Sequence, residues 1–216
     1  MSFTEIFQAG GIVMWPLVLF SLIAIALSTE RLIFWLRINR NQRKVVKKVL
    51  ATYRRAPMDV FALLRQSIHL PISRIFLEAL ELESPSPSQF RLALESATQA
   101  ELPLLKRFNT IFQTIITVSP LLGLLGTILG LIRSFDAIEI GGIGSNAEAV
   151  TGGISEALVS TAAGMVVAIF TLLFANLFRG LYKRQIALLQ EHGGQLELLY
   201  EDKYTHKIGT PEYANS

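Results

Sequence analysis

Three stretches of the chain are almost wholly apolar, and each is long enough at 1.5 Å per residue to cross ~30 Å of hydrocarbon. They run from Ile12 to Thr29, extendable to Leu36, from Ile111 to Ile132, and from Ile154 to Phe178. Elsewhere apolar and charged positions alternate with helical spacing, too polar to enter a bilayer. The pattern predicts an all-α integral membrane protein with three transmembrane helices and long helical extensions outside the membrane.

Two of the three spans carry a second pattern. In one, Ser119, Gly123, Gly126, Thr127, Gly130 and Ser134 recur every three or four positions. In the other, Gly153, Ala157, Ser160, Thr161, Gly164, Ala168, Thr171 and Ala175 do the same. At about 100° per residue each set falls on one face of its helix. Lipid does not favour such a face, whereas close helix packing does, and so does a narrow pore that needs hydroxyls without charge.

Only 17% of the 216 residues are charged, against ~25% in soluble domains. Their placement gives an orientation. Arg37, Arg40, Arg43, Lys44, Lys47, Lys48, Arg54 and Arg55 follow the first span, Lys106 and Arg107 precede the second, and Arg179, Lys183 and Arg184 follow the third. The positive-inside rule puts all three clusters in the cytoplasm. The connection between spans two and three holds Asp136, Glu139 and Glu148 with Arg133 as its only base, so it and the N-terminus face outward. The first span lacks a basic leader, has Glu5 ahead of it and runs into Glu30 and Arg31 without a small-residue cleavage pattern, which reads as an uncleaved helix. The net charge of +3 needs no nucleic acid to explain it, since bases flanking spans suit an anionic leaflet of membrane lipids. With no cysteine, and with His69, His192 and His206 scattered, the sequence calls for neither a metal nor a cofactor.

The expected organisation is then residues 1–36 as N-terminus and first transmembrane helix, 37–107 as a cytoplasmic helical domain, 108–135 as the second transmembrane helix, 136–151 as a short periplasmic loop, 152–179 as the third, and 180–216 as a cytoplasmic helix and tail. Within 37–107, Pro57 and Pro71 each mark a helix start. Val60, Phe61, Leu63, Leu64 and Ile68 form one apolar face, and Ile75, Phe76, Ala79, Leu80 and Leu82 another. Ser84-Pro85-Ser86-Pro87-Ser88 reads as a linker, after which a helix feeds into span two with Pro103 as its kink. Beyond span three, Leu181, Tyr182, Ile186, Leu189, Leu196 and Leu199 give an amphipathic helix with Gly193-Gly194 as its weak point and a frayed end from Thr205. This helix serves either as a partner surface or as packing for the cytoplasmic domain. Glu81 and Glu83, two apart on a helix, face away from each other, and no catalytic triad is visible, so the chain is not read as an enzyme.

The two threonines occupy similar positions. Thr127 lies nine residues before Asp136 and Thr161 nine after Gly152, roughly 13 Å from the outer surface in each case. They are expected to share one layer. Yet spans two and three contain no carboxylate in their middle, and hydroxyls alone hold no proton in transit near neutral pH. Glu156 sits near the outer end of span three, about 140° around the helix from Thr161. It reads equally as a helix-start carboxylate favoured by the macrodipole or as a functional group. The spans look like half of an ion path, its acid supplied by a partner helix.

These residues carry a resemblance. Ser119-Pro120-Leu121-Leu122-Gly123-Leu124-Leu125-Gly126-Thr127, Gly153-Ile154-Ser155-Glu156-Ala157-Leu158, Ser160-Thr161-Ala162-Ala163-Gly164 and Glu30-Arg31-Leu32 resemble the motifs of the MotA/TolQ/ExbB proton-channel family, in its three-span ExbB and TolQ branch. The likeness covers the three spans, and the cytoplasmic domain matches in size and helical character only. It implies a homopentamer in the bacterial inner membrane. Spans two and three would line a central pore around the single-span helices of ExbD- or TolR-like subunits, whose aspartate faces Thr127 and Thr161. Proton flow would then do work through a TonB- or TolA-like protein. Glu156 matches a family glutamate, and Asn176 an asparagine near the inner end of span three. Phe170 stands where the family usually has proline, and Arg133 where it has an uncharged polar residue. The fourth span and larger torque region of MotA are missing, which disfavours a flagellar stator.

Two alternatives compete with this energising role. One is a non-conducting oligomeric scaffold for a partner helix, whose stripes serve packing alone. The other, a self-sufficient solute channel, is disfavoured because the sequence has no inverted repeat and no intramembrane charge marking a substrate site.

Overall fold

The computed structural model describes residues 10–145 and 147–209, with side chains described except at 139–147 and 207–209. Among the described residues the helices are α1 (Met14–Arg55), α2 (Asp59–Gln66), α3 (Pro71–Leu80), α4 (Pro87–Leu105), α5 (Asn109–Ser145) and α6 (Ala147–Gly209). Apart from Ile12 and Val13, which precede α1, the three apolar stretches lie in α1, α5 and α6, each long and apolar enough to cross a membrane. The expectations for Glu5 and for the tail beyond Gly209 fall outside the described residues, as does the side chain of Glu139. The chain divides into two compact units, Met1–Leu32 with Phe108–Arg179 and Ile33–Arg107 with Gly180–Ser216.

The second unit is built by local signals that the sequence shows. Pro71 occupies the first turn of α3, where its fixed φ suits a helix and its missing N–H costs nothing. The Ser-Pro run is less of a linker than expected, because Ser86 caps α4. Its hydroxyl accepts from the Gln89 amide at 3.3 Å while its own amide donates to Gln89 Oε1 at 2.8 Å. Val60, Leu64, Ile75, Phe76 and Ala79 are buried with Phe90, Leu94 and Ala97, whereas Ile68 and Leu82 of the expected faces are exposed. Arg74 grips Glu101 with two nitrogens at 2.5 and 2.6 Å, joining α3 to α4. The amphipathic stretch of α6 packs on this unit, with Leu189 and Leu196 buried. Gln185 donates to Gln42 of α1 at 2.7 Å, Tyr200 donates to the Pro85 carbonyl at 2.6 Å and stacks on Phe90, and Lys203 donates to the Tyr53 carbonyl.

Several expectations are corrected. The helix ahead of span two does not feed into it. Pro103 stays inside α4, and the chain breaks at residues 106–108, where Phe108 takes a left-handed φ of 66°. The Arg31 guanidinium lies over its ring at 5.3 Å. Gly193-Gly194 does not interrupt α6, since buried Leu189 and Leu196 on either side hold the turn against the ~1 kcal/mol that each helical glycine costs. The same helix persists through Thr205 to Gly209. Glu81 and Glu83 follow the end of α3 instead of riding on it, and Glu81 pairs with Arg65 at 3.3 Å. Residues 136–151 are not an open loop, because α5 runs on to Ser145 and α6 starts at Ala147.

Candidate functional site

The first unit sets the middle of α5 against that of α6, and the two small-residue stripes are what meet. Ser119, Gly123, Gly126, Gly130 and Ser134 are all buried, as are Gly153, Ala157, Ser160, Gly164, Ala168, Thr171 and Ala175. The backbones approach so closely that side chains have no room between them. A Cβ on Gly123 would lie 3.0 Å from the Ser160 carbonyl oxygen and from Thr161 Cα. One on Gly130 would lie 2.5 Å from the Gly153 carbonyl, and one on Gly164 2.5 Å from that of Ser119. Hydroxyls stitch the seam: Thr161 Oγ1 donates to the Gly123 carbonyl at 3.1 Å, and Ser134 Oγ to Val150 at 3.0 Å. Ser160 Oγ occupies the space that Gly126 leaves open, and donates to Ala157 at 3.0 Å.

These contacts fix the register and correct the expectation of one threonine layer. Thr161 stands opposite Gly123, and Gly130 opposite Gly153 and Ala157. Thr127 is therefore one helical turn, roughly 6 Å, nearer the α5–α6 connection than Thr161. Asp136 and Gly152 are not level in this register, and both helices continue past them.

The threonines do share a side. α1 covers one flank of the seam, where Val13, Met14 and Leu17 pack on Leu122 and Leu129 of α5 and Ala163 of α6. Thr127 lies about 140–160° around α5 from those leucines, and Thr161 about 160° around α6 from Ala163. Both are half-buried, on the flank that α1 leaves uncovered, beside exposed Leu131, Leu158 and Met165. Each hydroxyl hydrogen is committed to a backbone carbonyl, that of Thr127 to Leu124 at 2.6 Å and that of Thr161 to Gly123. What the hydroxyls offer to the uncovered flank is thus acceptor lone pairs. Asn176, farther along α6, is exposed.

Glu156 belongs to the opposite flank. It lies within about 20° of Ala163 around α6, so it stands on the α1 side, where Arg133 Nη1 contacts its two carboxylate oxygens at 2.6 and 2.5 Å. Sequence reasoning treated the two residues separately. No periodicity reveals the pair, because it joins positions 23 apart through the register of two helices. Glu30 pairs with Arg31 at 3.4 Å, as a charge beside a charge at the end of a span suggests.

Residues 67–191 match the MotA/TolQ/ExbB proton channel family. Over 210 residues, 97% of this chain and 100% of the relative, the sequence is 62% identical to a Synechocystis sp. protein named "Putative biopolymer transport protein ExbB-like 3". It is 42% identical to ExbB-like 1 of the same organism over 198 residues, 91% of this chain and 78% of that one. A shorter likeness, 39% over 98 residues, links 44% of the chain to 38% of the biopolymer transport protein ExbB of Xanthomonas campestris.

Proposed function

The chain belongs to the MotA/TolQ/ExbB proton channel family, and from that premise we propose that it is the proton-conducting, energising subunit of an ExbB–ExbD-type complex. It is a multi-pass membrane protein of a transport family. In the proposed assembly it sits in the bacterial inner membrane with its N-terminus outside and its basic clusters in the cytoplasm. Several copies, five by family likeness, place the uncovered flank of the α5–α6 seam toward a central axis, and a single-span partner supplies the acid. Its motion drives a TonB- or TolA-like protein.

The observation that carries this reading is the flank on which the threonines lie. α1 shields the side with Glu156 and leaves Thr127 and Thr161 on the other. Only 22%, 28% and 28% of the apolar part of the three spans is buried, which leaves most of each span for lipid or for further copies to cover. Chemistry agrees. A hydroxyl whose hydrogen is already given to a carbonyl accepts a hydrogen bond from a protonated carboxyl group and has nothing to donate to a carboxylate. Thr127 and Thr161 therefore favour the neutral form of a partner's acid at that level. A neutral acid can move through a low-dielectric wall where a charged one would pay heavily in desolvation.

A non-conducting scaffold draws on a different finding, namely that the stripes are used up in packing within one chain. Valine at the threonines separates the two readings. In complexes purified from native membranes and reconstituted in liposomes with a pH-sensitive dye, Thr127→Val and Thr161→Val are each expected to lower proton flux at least tenfold. The oligomer should survive, since Thr127 bonds within its own helix and the bond of Thr161 to the neighbouring helix contributes only ~0.6 kcal/mol. Wild-type flux in both variants would refute conduction along this flank.

A further inference from the structure

Between α5 and α6, on the α1 side of the seam, the first unit holds a charge pair that lies apart from the threonine flank. Arg133 Nη1 touches both oxygens of Glu156. The Glu156 side chain is 12% exposed and that of Arg133 55%. The same carboxylate fills the space beside Gly11, where any added Cβ would overlap its Oε1. Gly11 also has a φ of +67°, a conformation that side chains with a Cβ rarely adopt. The backbone conformation thus favours glycine at position 11, and the turn that opens α1, closed by the Met14 amide on the Gly11 carbonyl at 3.2 Å, lies against the carboxylate. Three segments, the turn before α1, α5 and α6, meet at Glu156.

We propose that Arg133 is a positioning residue that holds Glu156 on the α1 flank as a fixed counter-ion, clasping the start of α1 to the seam and keeping this carboxylate off the ion path. The last clause rests on the proposed conduction along the threonine flank, while the clasp itself does not. The geometry opposes a relay role for Glu156. To face Thr161 it would have to travel about 140° around α6 and leave Arg133 without its partner. The two ends of the pair are also unequal. Removing Arg133 strands a mostly buried carboxylate, whereas removing Glu156 frees a half-exposed guanidinium that can turn to water or headgroups.

The test is a double-mutant cycle on the purified complex, read by apparent melting temperature and by proton flux. Arg133→Gln is expected to lower the melting temperature by roughly 3–8 °C and Glu156→Gln by less. The double variant R133Q/E156Q should recover at least half of the Arg133→Gln loss, and Arg133→Lys should retain most of the wild-type stability. Glu156→Gln and the double variant should keep at least half of the wild-type flux. A double variant no more stable than Arg133→Gln alone would overturn the clasp. A tenfold flux loss in Glu156→Gln and in the double variant, at wild-type stability, would show Glu156 to be an ion carrier and overturn its exclusion from the path. Absence of flux in the wild-type complex would refute conduction, and the melting temperatures would still decide the clasp.

Discussion

Gly164→Ala tests the seam most directly. The added Cβ would sit 2.5 Å from the Ser119 carbonyl oxygen and 3.2 Å from Gly123 Cα, both backbone atoms that cannot rotate away. Ordinary contact begins near 3.4 Å, so α5 and α6 must part by about 0.9 Å at this level. The bond from Thr161 to the Gly123 carbonyl, 3.1 Å long and less than a turn away, would stretch to about 4 Å and be lost. Overpacking costs ~1–3 kcal/mol and the hydrogen bond ~0.6, partly offset by ~0.5–1 kcal/mol from replacing a helical glycine with alanine. The net loss of about 1–3 kcal/mol corresponds to a fall of roughly 3–10 °C in melting temperature for a chain of this size. Trp15 and Trp35 provide an intrinsic fluorescence signal for detergent-solubilised protein. Gly180→Ala is the matched control, because a Cβ there meets nothing within 4 Å. It should leave stability unchanged or raise it. A Gly164→Ala melting temperature within 1 °C of wild type, or an equal fall in both variants, would refute close backbone approach as the reason for glycine in the stripe.

Two further outcomes concern the second unit. Burial, reinforced by the neighbouring Tyr200, pushes the Tyr53 hydroxyl up to about 12 from its ordinary 10.0, so folding favours its neutral form. That stabilisation is fully present below pH 10 and is lost as pH rises toward 12. Tyr53→Phe should therefore flatten the fall in stability over this window relative to wild type, measured alongside tyrosinate absorbance, and an unchanged slope would count against the assignment. Ser86→Ala removes the capping box of α4 at a cost of about 1 kcal/mol. The Gln89 amide should then exchange its hydrogen roughly fivefold faster, and unchanged exchange would show the cap to be idle.

The spans and the stripes were legible because both are local patterns. Hydropathy over some 20 residues marks a span, and spacing of three and four marks a face. All twelve stripe positions other than Thr127 and Thr161 are buried. The break at 106–108 was not legible. Lys106, Arg107 and Phe108 carry no turn signature, and a left-handed phenylalanine is held by its surroundings, the Arg31 guanidinium among them. Gly193-Gly194 misled in the other direction, because propensity is a weak prior beside the packing of Leu189 and Leu196.

By itself the sequence determined that three helices can cross a membrane, that two of them carry packing faces, and that neither face holds an acid. These follow from which residues are present and how often they recur. Only the tertiary structure decided the register, which puts Thr127 a turn away from the level of Thr161, turns both toward the flank that α1 leaves bare, and pairs Glu156 with Arg133 on the other. Register is set by glycine backbones meeting across two helices, and that depends on contacts between residues far apart in the chain, which no local period encodes.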